Sequence, residues 1–280
     1  MAESPDRANA PDRVPVDTGT DELLCRIEQR VAVITLNRPE ARNALTWDMK
    51  SALARCIPEL GRDDRVGCLL LTGAGAAFCA GGDTKRMAQD GRLPSPEQRV
   101  RELRFEHTIP DSIQRLAKPV VAALPGAAAG AGFALALACD LRIAAESAFV
   151  TTAYARLGLS GDYGGSWFLT QLVGPAVARE LYFTGDRVDA AGCARLGIFN
   201  RVVPEAELGR EAMALCARIA AGPPLALRFM KENLNRALRE DLRTCLDAEA
   251  ERMVEGAQTE DYLEAVAAFS EKRAPVFRGR

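Results

Sequence analysis

The stretch PGAAAGAGFALALACD, Pro125 to Asp140, follows a strand-like apolar run and leads into a helix-like run of alanine and leucine. An earlier stretch, GAGAAFCAGGDTK from Gly73 to Lys85, shows the same order of strand, glycine-rich turn and helix. Side chains are nearly absent from both turns, so a ligand can approach their backbone N–H groups closely. If the two turns meet, they supply a pair of donors to a developing negative charge, as an oxyanion hole requires.

Short apolar runs alternate with helical patterns through the first half of the chain, which predicts an α/β fold. The runs are continuously apolar, as expected for a sheet that is covered on both faces. Thr46 is the expected N-cap of a helix that extends to about Leu60. The predicted strands are Val31 to Leu36, Val66 to Thr72, Val120 to Leu124 and Leu141 to Ala145.

Helical periodicity dominates the second half, with helices expected over residues 176–183, 190–196, 207–221, 225–255 with a break, and 260–269. We therefore predict a disordered lead-in over residues 1–22, an α/β core over 23–200 and a helical region over 201–280. The polar segment from Arg86 to Ile109 contains glycine and proline and is expected to form a mobile flap rather than core.

The composition is that of an ordinary globular enzyme: the 280 residues are 48% apolar and 26% charged. A net charge of −2 gives no field that would attract nucleic acid or an anionic membrane. The N-terminus lacks an apolar signal segment, and no apolar run reaches membrane-spanning length. We therefore predict a cytoplasmic protein that binds neither nucleic acid nor membranes.

The eight cysteines are scattered singly and the chain has one histidine, so no metal site is expected. His107 lies in the predicted flap, where a surface or packing role is expected. Five cysteines in apolar or periodic runs are expected to be reduced core residues: Cys25, Cys56, Cys68, Cys139 and Cys216.

The spacing of Gly126, Gly130 and Gly132 also matches a dinucleotide-binding turn. Such a site needs an acid about twenty residues further on, and Glu146 stands at that distance from Gly126. The motif lies in the middle of the chain, however, and no Tyr-x-x-x-Lys pair follows to supply reductase chemistry. Nicotinamide binding is therefore the weaker interpretation.

Five motifs taken together resemble the crotonase (enoyl-CoA hydratase/isomerase) superfamily, in the order that this family shows. They are NRPEARNAL, AFCAGGDTK, PGAAAGAGFALALACD, GLSGDYGG and the ending FSEKRAPVFRGR. The resemblance covers the chain from about residue 25 to its end. It implies an acyl-CoA thioester substrate with no separate cofactor, a spiral of strand–strand–helix units, and C-terminal helices that support a homotrimer or a dimer of trimers.

The resemblance places the two oxyanion donors at the N–H groups of Gly82 and Ala131. Ala131 is expected to head the following helix, so that the helix dipole strengthens its N–H as a donor. The alternative is that the glycines only permit tight turns and close packing. Taken with the other motifs, the family match favours the oxyanion hole.

Two positions depart from the hydratases of the family, which use two glutamates to activate water. Those positions carry Ala134 and Tyr154 here, so no general base is placed to take a proton from water. Tyr154 is either a core residue or a donor to substrate. The resemblance instead points to Asp162, which matches the aspartate of isomerases that act on phenylacetyl-CoA-derived epoxides and related enoyl-CoA substrates.

Asp162 has two interpretations. It either caps the helix that starts near Gly165, as Asp before a helix often does, or acts as a single acid/base that moves a proton along the substrate. An apolar wall of Trp167 and Phe133 would favour the second role by raising its pKa.

The resemblance also assigns contacts to CoA, around the turn of Arg42 and Ala44 and near the C-terminus. Arg42 either pairs with a phosphate or is a solvated arginine. The assigned substrate and CoA contacts are Arg42, Ala44, Ala80, Gly82, Asp83, Tyr154, Phe269 and Lys272.

The leading hypothesis is an enoyl-CoA double-bond isomerase in which Gly82, Ala131 and Asp162 are the catalytic groups. The alternatives are an enoyl-CoA hydratase, a hydrolase or decarboxylase of the same family, and a catalytically weak protein that only binds acyl-CoA.

Overall fold

The computed structural model describes residues 13–83 and 95–280 and contains two sheets. Its strands are β1 (Val14–Val16), β2 (Leu23–Glu28), β3 (Val31–Leu36), β4 (Cys68–Gly73), β5 (Ala77–Cys79), β6 (Val120–Leu124), β7 (Ala127–Ala129), β8 (Leu141–Ala145), β9 (Phe149–Thr151), β10 (Val188–Asp189) and β11 (Arg201–Val203). The larger sheet has the order β1-β2-β3-β4-β6-β8-β11, and the smaller one has the order β10-β9-β7-β5.

The helices follow the strands and continue to the C-terminus. They are α1 (Trp47–Arg62), α2 (Pro96–Glu106), α3 (Thr108–Arg115), α4 (Ala131–Ala138), α5 (Gly165–Thr184), α6 (Ala190–Arg195), α7 (Leu208–Ala220), α8 (Pro224–Ala237), α9 (Leu242–Ala257) and α10 (Glu260–Glu271). In the part of the chain that the structure describes, no helix is long and apolar enough to cross a membrane.

From β4 to β9, consecutive strands alternate between the two sheets. The pairs β4–β5, β6–β7 and β8–β9 each place one strand in the larger sheet and the next in the smaller one, and a helix follows each pair. Strands β3, β4, β6, β8 and β11 are parallel, whereas β1 and β2 add an antiparallel edge. This repeat confirms the predicted α/β spiral of strand–strand–helix units.

Both faces of the larger sheet are buried, as the continuously apolar strands predict. A large core cluster that includes Met49, Leu53 and Phe133 covers one face, and α7 covers the other with Leu215 and Cys216. The predicted helix after Thr46 forms as α1, and the Thr46 hydroxyl accepts a hydrogen bond from the Met49 N–H at 3.1 Å. The five cysteines expected in the core are all buried and free.

The structure shifts two of the predicted boundaries. Strand β1 lies inside the expected lead-in, because Val14 pairs with Ile27 at the sheet edge; residues 1–12 lie outside the described part. The sheet also continues past residue 200, because β11 pairs with β8 and α7 packs on four strands of that sheet. The predicted flap is partly wrong: residues 84–94 lie outside the described residues, but 95–109 contain α2, and Ile109 is fully buried.

Candidate active site

The two glycine-rich turns lie against each other. Strand β5 comes just before Gly81 and Gly82, and strand β7 comes just before Gly130 and Gly132. These two strands pair in parallel. A Cβ added to Gly81 would lie 2.8 Å from Ala129 O and 3.4 Å from Ala131 N, and one added to Gly132 would lie 2.3 Å from Cys79 O. Only glycine permits this approach of one backbone to another, so the turns meet as the sequence predicts.

The predicted donors stand at this junction. Ala131 is the first residue of α4 and follows Gly130, whose φ is +51°. Gly82 forms a parallel bridge with Leu45, whose N–H donates to Gly81 O at 2.8 Å. Among residues 13–83 and 95–280, neither the Gly82 N–H nor the Ala131 N–H has an acceptor in the protein. Both amides are therefore unpaired within the described part of the protein, as donors to a ligand must be, and that of Ala131 stands at the positive end of the α4 dipole.

The dinucleotide-binding geometry, the weaker interpretation of the glycine spacing, does not form at this turn. Gly126 does not lead from a strand directly into a helix, because β7 lies between it and α4 and belongs to the smaller sheet. The glycine pattern therefore arises from the crossing between two sheets and not from a strand–turn–helix unit.

The turn assigned to CoA lies next to the Gly82 donor. The Ala80 N–H donates to Arg42 O at 2.9 Å, and the Arg42 side chain is exposed. The Arg38 guanidinium donates to Ala44 O at 2.9 Å and to the Asp83 carboxylate at 3.2 Å. The structure thus brings the first five of the assigned CoA contacts together, with Asp83 paired to Arg38.

Asn43 belongs to the turn assigned to CoA and has a structural role that the sequence prediction missed. It is fully buried at a positive φ of +56°. Its amide nitrogen donates to Ala74 O and Ala77 O at 2.9 and 2.8 Å, and its amide oxygen accepts from the Arg38 N–H. Asn43 therefore ties the CoA turn to the strand that leads to Gly82, and its place in NRPEARNAL was the available signal.

Tyr154 connects the oxyanion turn to Asp162. A Cβ added to Gly130 would lie 3.7 Å from the Tyr154 ring, and the Tyr154 hydroxyl donates to Asp162 Oδ1 at 2.7 Å. Tyr154 is only 6% exposed, so the hydrogen bond is shielded from water. The sequence left Tyr154 as either a core residue or a donor to substrate. In the structure it is buried, and its hydroxyl donates to the candidate base Asp162.

The Asp162 side chain does not cap the next helix. Helix α5 follows Gly164 without a side-chain cap, and the Gly165 N–H donates to the backbone carbonyl of Asp162. Burial raises the pKa of the Asp162 carboxyl, while the Tyr154 hydroxyl and the His107 ring act in the opposite direction. The carboxylate is therefore set up as a stronger base than an exposed aspartate.

Two tyrosines lie beside the turn that carries Asp162. A Cβ added to Gly161 would lie 2.9 Å from the Tyr182 ring and 3.6 Å from the Tyr154 ring. Trp167 packs edge-on against Phe168, and Phe133 lies in the large core cluster. The predicted apolar wall of Trp167 and Phe133 beside Asp162 stays a prediction.

Ala134 stands where a hydratase of the family would carry a glutamate, and its surroundings are closed. The residue is 2% exposed. A Cβ added to Gly165 would lie 3.1 Å from the Ala134 Cβ and 2.8 Å from the Tyr182 hydroxyl. The Ala134 methyl group is therefore buried against Gly165.

A second carboxylate near Asp162 was not predicted. Glu106, at the end of α2, is 2% exposed and pairs with Lys50 Nζ at 2.8 Å and Arg99 Nη1 at 3.0 Å. The Tyr163 hydroxyl donates to its other oxygen at 3.3 Å. Two cations hold this carboxylate in place, which favours a structural role over proton transfer.

Two of the assigned CoA contacts, Phe269 and Lys272, are not placed beside the other assigned contacts in the described part of a single chain. They lie at the end of α10, which packs against α9. The Phe269 side chain is 88% exposed. Their assignment stays a prediction, which requires a neighbouring subunit.

The fold and the paired turns define a protein of the crotonase class. The family model for "Enoyl-CoA hydratase/isomerase" matches residues 26–280. The chain is 38% identical over 258 residues to the 1,2-epoxyphenylacetyl-CoA isomerase of Escherichia coli K12, covering 92% of this chain and 98% of the relative. It is 35% identical over 254 residues to the short-chain-enoyl-CoA hydratase of Clostridium acetobutylicum, covering 90% and 96% of the two chains.

Solved structures agree with this assignment. The crystal structure of an enoyl-CoA hydratase from Polaromonas sp. JS666 superposes with a TM-score of 0.87 at 36% identity, covering 91% of this chain and 99% of that one. The chain therefore belongs to the enoyl-CoA hydratase/isomerase family. The names of its relatives include both isomerases and hydratases, so the reaction is a separate question.

Proposed function

We propose that this member of an acyl-CoA enzyme family isomerises the double bond of an enoyl-CoA. The Asp162 carboxylate takes a proton from C2 of a 3-enoyl-CoA, and the electron pair moves to the thioester oxygen. The N–H groups of Gly82 and Ala131 stabilise that enolate oxygen. Asp162 then returns the proton to C4, which leaves the double bond between C2 and C3. One carboxylate suffices, and no atom is gained or lost.

The observation that carries this proposal is the hydrogen bond from Tyr154 to Asp162. Through this bond Tyr154 joins the candidate base to the oxyanion turn. Tyr154 is a neutral donor at a position where the family's hydratases carry an acid. The closed surroundings of Ala134 support the same reaction, because the other water-activating acid is missing there as well. A base that is raised in pKa by burial also suits a group that must both take and return a proton.

Hydration is the second candidate, since one relative is named as a short-chain-enoyl-CoA hydratase. Its difficulty is the general base for water, because Asp162 would have to position and deprotonate the water alone. Binding of acyl-CoA without turnover is the third candidate.

The three candidates separate in one assay that follows thioester conjugation in the ultraviolet. Incubation with 3-enoyl-CoA should produce the conjugated 2-enoyl absorbance, whereas a hydratase would remove the absorbance of 2-enoyl-CoA. The variant Asp162→Asn should lose about 10²- to 10⁴-fold in kcat, as expected for loss of general acid–base catalysis. Asp64→Asn, at an exposed aspartate after α1, is the matched control and should keep full activity. Full isomerase activity in Asp162→Asn would refute the assigned role.

We also propose that the chain assembles as a homotrimer or a dimer of trimers. The C-terminal helices α8 to α10 carry large apolar side chains that are exposed in the single chain, and burying such a surface drives association. They include Met230, Leu234, Leu242, Met253, Leu263 and Phe269. Sedimentation equilibrium tests this proposal, and a monomer at micromolar concentration would contradict it.

A further inference from the structure

The turn that carries Asp162 has an unusual backbone. Gly161, Tyr163 and Gly164 all have positive φ values, of +108°, +52° and +72°. Tyr163 is the exceptional member, because a bulky residue other than glycine rarely adopts this conformation. Its side chain is 1% exposed, so the residue is also fixed inside the protein. The conformation of this turn therefore depends on what surrounds Tyr163.

Two consecutive residues at the junction of α2 and α3, the last residue of α2 and the one after it, contact Tyr163 at its two ends. The Tyr163 N–H donates to His107 Nε2 at 3.3 Å, and the two rings meet edge to face with centroids 5.8 Å apart. The Tyr163 hydroxyl donates to Glu106 Oε2 at 3.3 Å. In this hydrogen bond Nε2 is the acceptor.

Glu106 is itself anchored. Its other oxygen pairs with Lys50 of α1 and Arg99 of α2, at 2.8 and 3.0 Å. Lys50 and Glu106 are both buried, at 8% and 2% exposure. The Tyr163 hydroxyl thus binds a carboxylate that two helices hold in place.

We propose that His107 and Glu106 are positioning residues that fix the backbone of Tyr163 and thereby aim the neighbouring Asp162 carboxylate. This inference rests on the proposed role of Asp162 as the proton-transferring group. His107 acts through a backbone hydrogen bond and does not exchange protons with substrate. This assigns a role to the chain's single histidine, for which the sequence predicts only packing or surface exposure.

Two amide substitutions at His107 test the proposal. In His107→Gln the side-chain oxygen can reach the place of Nε2 and accept from the Tyr163 N–H, whereas in His107→Asn the shorter amide cannot. We expect His107→Gln to keep kcat within about twofold of the wild type. We expect His107→Asn to lose about tenfold in kcat with little change in KM, because loss of one hydrogen bond loosens the turn without removing a substrate contact. Equal losses in both variants would overturn the proposal, since a histidine that transfers protons cannot be replaced by glutamine.

Tyr163→Phe tests the second contact, because it removes only the hydroxyl that binds Glu106. We expect a loss of about three- to tenfold in kcat at unchanged KM. Wild-type kcat in this variant would remove Glu106 from the proposal. Arg104→Gln, at an exposed residue one helical turn before His107, is the control and should behave as the wild type.

A measurement without substrate separates this inference from the proposed reaction. Carboxyl ¹³C NMR can follow the titration of Asp162 in the free protein. Both substitutions remove the imidazole, which itself acts on the pKa of Asp162, so the two variants are compared with each other. We expect Asp162 to titrate at a different pH in His107→Asn than in His107→Gln. If the wild type isomerises no enoyl-CoA but this difference is present, the proposed reaction fails and the positioning role stands. If the two variants titrate alike, the positioning role fails whatever the reaction.

Discussion

Replacing Gly81 with alanine tests whether the two glycine-rich turns must touch for the oxyanion site to form. At Gly81 the φ is +88°, and an added Cβ would lie 2.8 Å from Ala129 O and 3.4 Å from Ala131 N. The left-handed backbone should cost about 1–2 kcal/mol and the crowding a further ~1–3 kcal/mol. The neighbouring atoms belong to backbone that β5 and β7 hold in register, so they cannot rotate away as a side chain could.

The effect on catalysis follows from the same contact. Relief of the clash must move the Gly82 turn away from Ala131, and displacing a donor by a fraction of an ångström weakens its bond to the enolate oxygen. A misplacement of about 1 Å can cost about 100-fold in rate, so we expect Gly81→Ala to lose about 10- to 100-fold in kcat. Thermal unfolding measures the stability and the 3-enoyl-CoA assay measures the rate.

Gly197→Ala is the matched control for Gly81→Ala. Gly197 has a similar φ of +74°, but no described atom lies within 4 Å of its added Cβ. This variant should show only the cost of the left-handed backbone, about 1–2 kcal/mol, and should keep its kcat. If both variants lose the same stability and Gly81→Ala stays fully active, contact between the turns does not position the donors.

Three further substitutions test other parts of the structure. Tyr154→Phe removes the hydroxyl that stabilises the ionised Asp162, so the pKa of Asp162 should rise further. Because the ionised form is the base, the acidic limb of the kcat/KM profile should move to higher pH. An unmoved limb would contradict the assignment of Asp162 as the base. Lys231→Ala removes the ammonium group that lies 2.8 Å from the Asp140 carboxylate. Urea unfolding should show a loss of about 3 kcal/mol, toward the low end for a buried pair because the Asp140 side chain is 26% exposed. Ala134→Glu places a carboxylate at a position that is 2% exposed and should cost about 3 kcal/mol or more without adding hydratase activity; a stable variant that hydrates 2-enoyl-CoA would show that the position is open.

The long elements of the fold could be predicted because their signals are local. The runs at Val31–Leu36 and Val120–Leu124 form strands with the predicted bounds, and Thr46 caps α1 as its hydroxyl and spacing indicate. Each of these segments contains enough apolar residues, or a side chain of the right chemistry, to determine its own structure.

The strands of the smaller sheet could not be predicted in this way. Strand β7 consists of three alanines, Ala127–Ala129, which have no preference for extended structure. It forms because β5 and β9 pair with it on either side, and that pairing joins segments about 20 to 50 residues apart. The predicted flap was misassigned for a related reason: α2 is polar in sequence, and its buried Glu106 is compensated by partners on α1 and α2 that no local pattern reveals.

The oxyanion turns and the reacting group differ in what the sequence can establish about them. A backbone donor needs glycine or alanine at a fixed place, and this requirement is visible in the motif itself. The behaviour of Asp162, in contrast, depends on the side chain opposite it. An acid at position 154 would repel the carboxylate and hold one proton between the two groups, whereas the Tyr154 hydroxyl donates to Asp162 and lets it ionise alone. The motif therefore identifies stabilisation of an enolate, and the contact between Tyr154 and Asp162 favours the movement of a proton over the activation of water.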